Sequence, residues 1–175
     1  MTDTAPQPTR VSRGRTWPAF VFTTRPTARS VDLALVVVRA ALAWIFFVYG
    51  AQKLFGWFNG AGIHQTSLFM ADTAGLHPGG FFAVLGGVIE LGGAIAVALG
   101  LVARLAGLAL FGDMVMAMIT VTWAEGLHQA TPPGYELNVA LAALGLVVAL
   151  LGAGRYSVDA LVERRLVSPR QGSVP

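Results

Sequence analysis

Cysteine is absent from all 175 residues. Disulfides, thiolate nucleophiles, iron–sulfur clusters and persulfide carriers are therefore excluded from this chain. Any thiol or sulfur chemistry would belong to a partner. Charge is also scarce. Asp, Glu, Lys and Arg make up 12% of the residues and hydrophobic types 55%, against about 25% charge in a soluble domain. With a mean hydropathy of +0.65, the chain falls in the membrane class. The net charge of +3 is too small to suggest nucleic acid. Histidine is missing from every long apolar run, so a transmembrane haem would lack axial ligands. His64, His77 and His128 fall in loops, near Asp72 and Glu125, and their spacing assigns no metal site. Phosphate loops, nucleotide fingerprints and serine-hydrolase elbows are missing too. No covalent cofactor is expected.

Long apolar runs are what the sequence does have. A helix needs about 20 such residues to cross a bilayer. Four segments qualify, at about 31–55, 80–102, 104–124 and 135–152. The expected architecture is all-α, an antiparallel four-helix bundle integral to the membrane. Lys and Arg collect in the arm before the first run, in the tail after the last, and at Arg104 in the short second link. The two other loops hold neither. Both termini are thus predicted cytoplasmic, in a multi-pass protein of a bacterial-type plasma membrane. Residues 1–30 are rich in Pro, Thr and Arg, show no cleavable signal, and read as a disordered basic cytoplasmic arm. Residues 31–155 form the membrane domain. Residues 156–175 read as an amphipathic tail that begins near Ser157 as N-cap. In the first outer loop, Ile63, Leu68, Phe69 and Met70 predict a short interfacial or re-entrant helix.

Each run carries charge or small residues on one face. In the first, Asp32, Val36, Arg39, Ala43, Phe46, Gly50 and Lys53 share a stripe. The second repeats this with Ala83, Gly87, Glu90, Ala94 and Val97, and the third with Ala106, Leu110, Asp113, Ala117 and Thr120. The fourth offers Glu136, Ala140, Ala143 and Val147, with Asn138 close by. A charge at mid-membrane costs roughly 2.5–3.5 kcal/mol, so these faces should point inward. Helix rise puts Arg39, Glu90 and Asp113 about 12–15 Å inside their runs, in one expected central layer. Tyr49, Gln52, Lys53, Glu136 and Asn138 form an expected outer layer. One cation against two acids leaves a surplus negative charge, resolved most simply if one acid keeps its proton. Met114, Met116 and Met118 read as apolar filler, with Met116 a candidate pocket residue.

Three elements occur in order: YGAQKLFGWF at 49–58, IELGGAIAVALGLVARLAGLAL at 89–110, and LLGAGRYSVDALV at 150–162. With an arginine early in the first run, they resemble the DoxX family of small four-helix membrane proteins. Arg39, Lys53, Glu90 and the Gly154–Asp159 element match the family pattern. Tyr49 stands where many members carry histidine, which counts against chemistry that needs an imidazole there. The resemblance implies a membrane subunit that interacts with a quinone or quinol, or a membrane partner of a sulfur, thiol or detoxification redox system. In that reading Arg39 holds a quinone carbonyl, Glu90 or Asp113 relays a proton, and Trp44, Phe46 and Tyr49 flank the ring. A soluble or membrane redox partner would supply electrons, and the chain itself would be a non-catalytic subunit. A non-enzymatic assembly protein and a small proton-coupled transporter are the competing readings. The transporter reading would call for homo-oligomers, because four spans are few.

Overall fold

The computed structural model describes residues 27–128 and 133–167, all of them helical or in short connections apart from one isolated bridge residue. The predicted arm over 1–30 lies almost wholly outside the described residues, as does the end of the tail. Six α-helices follow in order: α1 Ala28–Phe55, α2 Gly62–Asp72, α3 Gly79–Leu99, α4 Ala103–Ala117, α5 Glu136–Leu151 and α6 Val158–Val167. Three segments are long and apolar enough to cross a membrane: α1, α3, and α4 with its extension to Glu125. The 16-residue α5 is a shorter apolar helix.

The helix ends have local causes. Thr27 caps α1 by accepting from the Ser30 N–H at 3.2 Å. That start lies three residues before the apolar run. Gly56, with φ +71°, ends the helix in the left-handed region, where glycine carries no Cβ penalty. α3 stops at Leu99, earlier than its apolar run. Gly100 turns left-handed, its N–H reaches Val97 O, and Leu101 N–H reaches Ala96 O. These are the paired bonds of a Schellman stop. α4 passes into a π-helical turn over Met118–Thr122, then a 3-10 turn over Trp123–Glu125. Four consecutive β-branched residues, Ile119 to Thr122, crowd that segment. Ser157 caps α6, as its position predicts, by accepting from the Ala160 N–H at 3.2 Å.

The packing rests on small residues. α1 lies on α3, where Gly50 sits so close to Leu91 that a Cβ would stand 2.6 Å from its nitrogen. α4 lies on α5 through Gly107 and Gly145, with a Cβ on Gly107 only 2.7 Å from Gly145 O. α2 rests on α3, where Gly79 meets the backbone of Ser67. The core between these pairs holds Leu42, Phe46, Val97, Leu110, Leu141 and Val148, all nearly or fully buried. Large apolar side chains such as Val37, Trp44, Leu105, Ile119 and Leu150 face outward, as a lipid solvent allows.

The buried face of α3 is the predicted one: Ala83, Gly87, Glu90, Ala94 and Val97. In α1 the stripe holds at Asp32, Arg39, Phe46 and Gly50, but Leu35 and Leu42 replace Val36 and Ala43 as its buried members. The face predicted for α5 is corrected. Leu141, Ala142, Gly145 and Val148 turn inward, while Ala140, Ala143 and Val147 are exposed. Close approach at Gly145 sets that rotation.

Candidate functional site

Lys53 ends α1, Glu90 sits in the middle of α3 and Asp113 in the second half of α4. The packing of α3 against both neighbours brings the three together. Lys53 Nζ donates to Glu90 Oε1 at 2.6 Å. Glu90 is 1% exposed, and its Oε2 has no hydrogen-bond partner. Asp113 lies within side-chain hydrogen-bonding reach of Glu90. Its Oδ2 is likewise buried without a partner. One proton shared between the two carboxyls would give each a missing partner. Two acids and one cation thus form a triad with capacity for a proton or a donor.

Beside the triad a cavity of about 630 Å³ opens between α2, α3 and α4. That volume suits a small organic ligand, for which pockets run about 300–1,000 Å³. Phe69, Leu85, Ile89 and Met116 are among its apolar walls, and Lys53, Asp113, Thr66, Thr120 and Asn138 among its polar ones. The π-helical turn contributes Thr120, Val121 and Thr122. Such turns widen a helix and recur where ligands sit.

Arg39 belongs elsewhere, which corrects the expected single layer with Glu90 and Asp113. Its Nε donates to Val97 O at 2.8 Å and Nη2 to Ala98 O at 2.9 Å. Nη1 donates to Ala153 O at 2.7 Å and Tyr156 O at 2.9 Å. The guanidinium therefore caps the C-terminal end of α3 and ties it to the segment after α5. Val97 lies seven residues beyond Glu90 along α3, about 10 Å of helix rise. With its fork spent on four carbonyls, Arg39 does not face the cavity. Trp44 is 68% exposed and points away from the core, and Phe46 is packed inside it. Neither lines the cavity, so the expected aromatic flank of Trp44, Phe46 and Tyr49 is not assembled there. Tyr49 packs against the core.

The remaining outer-layer residues scatter. Gln52 Nε2 donates to Phe58 O at 3.2 Å. Glu136 Oε1 lies 3.0 Å from His128 Nδ1 near the start of α5. Asn138 Oδ1 accepts from Thr122 Oγ1 at 3.4 Å, and Asn138 borders the cavity. Among the described residues no three His, Asp or Glu side chains converge as metal ligands would.

Two acids have roles that the sequence pattern alone did not assign. Asp159 Oδ1 accepts from Val102 N–H at 2.8 Å and Oδ2 from Ala103 N–H at 2.9 Å. One carboxylate thereby caps the start of α4, where Val102 is held at φ +45°, an uncommon conformation for a β-branched residue. Asp32 Oδ1 accepts from Arg155 N–H at 3.0 Å. Arg104 Nη1 donates to Leu150 O at 2.8 Å, near the end of α5. The sequence signal was the bare N-terminus of α4, which has no Ser, Thr, Asp or Asn of its own.

Long apolar helices around a charged triad and an apolar cavity define a membrane protein with a candidate ligand site. The chain belongs to the DoxX family, whose family model matches residues 34–123. Arg39, Lys53, Glu90 and Asp113 all fall inside the match, which ends before the Gly154–Asp159 element. No curated protein and no solved structure matches the chain.

Proposed function

We propose that this chain is a four-span protein of a bacterial-type plasma membrane, with both termini cytoplasmic, that seats a quinone-class ligand for a redox partner. The observation that carries this reading is the Lys53–Glu90–Asp113 triad beside an apolar cavity of about 630 Å³. The apolar walls suit a lipophilic ring or tail. Lys53, rather than Arg39, is the cation within reach of a ring carbonyl. Glu90 and Asp113 are placed to give or take a proton, and the partner supplies the electrons. The fourth span is α5, about 24 Å long and completed by its flanking residues. Arg104, Arg155, Arg164 and Arg165 mark the cytoplasmic side.

Native mass spectrometry of gently extracted protein tests the reading. A quinone should travel with the wild type and be lost from Gly112→Leu. Gly112 borders the cavity, and a Cβ there meets nothing within 4 Å, so a side chain can be started there without a backbone clash. If the wild type carries no quinone and Glu90→Gln leaves quinone-linked respiration unchanged, the reading fails. An assembly role without redox coupling is the second reading, favoured by Arg39, Asp32 and Asp159 all being spent on backbone groups.

A further inference from the structure

A second cavity, of about 650 Å³, lies at the other end of α4 from the π-helical turn. It forms where the start of α4, the segment after α5 and the helix α6 meet, away from the triad and independent of the quinone reading. Leu105 and Leu151 border it, both exposed on helices that face hydrocarbon in a membrane. Its remaining wall is charged. An opening with lipid chains on one side and charges at helix ends on the other lies at headgroup depth. Two arginines there have donors to spare. Arg104 uses Nη1 on Ala149 O at 3.3 Å and on Leu150 O at 2.8 Å. Its Nε–Nη2 edge is left over and runs past Gly152, where a Cβ would stand 3.5 Å from Nε and 3.7 Å from Nη2. That edge grips a phosphate through two parallel bonds. Arg155 is exposed and lines the same cavity; its backbone N–H binds Asp32, while its guanidinium has no hydrogen bond among the described residues. Three acids share the wall. Asp159 spends both oxygens on the N–H groups of Val102 and Ala103, and Asp32 spends one on Arg155. Glu163 stands one helical turn beyond Asp159 and has no partner among the described residues.

We infer that this cavity holds the headgroup of a membrane phospholipid that carries both a phosphate and a primary ammonium, a phosphoethanolamine lipid. The phosphate bridges the free edges of Arg104 and Arg155, and the ammonium donates to Glu163. The acyl chains run down past Leu105 and Leu151. Three acids against two arginines leave the wall net negative, so a ligand of both signs suits it better than a bare anion. A phosphoglycerol head answers the arginines, leaves Glu163 unpaired and adds negative charge beside the three acids. A phosphocholine head brings a cation with no N–H to donate.

The test is native mass spectrometry of the delipidated full-length protein, titrated with three lipids of identical acyl chains. Their heads are phosphoethanolamine, phosphoglycerol and phosphocholine. The phosphoethanolamine lipid should bind about tenfold more tightly than either of the others, as charge-assisted hydrogen bonds imply. Glu163→Gln should remove its advantage over the phosphoglycerol lipid and leave the latter bound at least as tightly as before. Arg155→Gln should weaken all three. Both substitutions fall on exposed positions outside the helix packing. The wild-type ranking decides the matter even if a variant does not fold. Equal affinities for the three lipids, or tightest binding by phosphoglycerol or phosphocholine, overturn the inference. An unchanged ranking in folded Glu163→Gln overturns it too, because the preference then arises elsewhere. Inorganic phosphate should not displace the lipid; displacement would make the cavity a site for free anions instead.

Discussion

Lys53 Nζ lies 2.6 Å from Glu90 Oε1, fastening the last turn of α1 to the middle of α3. The pair is lopsided: the lysine side chain is 28% exposed and the glutamate 1%. Removing the acid therefore leaves a cation that can still find polar surroundings. Removing the lysine leaves a fully buried acid with no cation beside it and a second acid, Asp113, as its neighbour.

Lys53→Ala should accordingly destabilise the protein more than Glu90→Ala, by about 3–5 against about 1–3 kcal/mol. The double change Lys53→Met, Glu90→Leu should recover much of the loss, because well-packed apolar residues replace buried pairs at little cost. Thermal unfolding in detergent reads all three. Equal single-variant effects would show that the burial asymmetry does not control the pair.

Arg39→Lys keeps the charge but loses the fork that spans four carbonyls. It should lower the melting temperature markedly, since hydrogen bonds to charged groups contribute about 1.5–3 kcal/mol each. Ligand affinity of the folded fraction should be unchanged, because the guanidinium lies away from the cavity. A weakened affinity at unchanged stability would return Arg39 to the ligand site.

Asp159→Ala should cost about 0.5–2 kcal/mol through the lost cap of α4. Val102→Gly should offset part of it by relieving the left-handed backbone at that residue, by about 1 kcal/mol. Limited proteolysis between α3 and α4 should accelerate in the first variant and slow again in the double variant.

Gly107→Ala and Gly92→Ala separate packing from conformational freedom. The first places a Cβ 2.7 Å from Gly145 O and should disrupt the α4–α5 contact. The second meets nothing within 4 Å and should be neutral or stabilising by up to about 1 kcal/mol. Expression level and monodispersity on size exclusion distinguish them.

Much of this arrangement was legible in the residues. The α3 face could be read because Gly87, Glu90 and Ala94 contrast with large apolar neighbours at helical spacing. The α5 face could not, because a helix bathed in lipid is apolar all round and its periodicity is faint. Only Gly145, opposite Gly107, marked the contact side. Glu90 and Asp113 could be expected at one depth, since each lies well inside its apolar run. Arg39 was misplaced for a definite reason: depth was counted along the backbone of α1, while the long side chain carries its guanidinium to the carbonyls at the end of α3. A buried arginine also does not reveal whether it answers a carboxylate or the free carbonyls of a helix end. The π-helical turn and the cavity beside it arise from tertiary packing, for which the row of β-branched residues was the sole local hint.

The bonds of Arg39 also set an order of assembly. Two of its four carbonyl partners, those of Ala153 and Tyr156, lie 114 and 117 residues downstream. While the chain emerges from a ribosome, α1 enters the bilayer long before those carbonyls exist. Its guanidinium then has only water, headgroups or the insertion machinery to answer it. The guanidinium can therefore gain its full set of carbonyl partners only once the chain has been made through Tyr156. A ribosome stalled before Tyr156 should hold this protein as an insertion intermediate, its first helix still unlatched.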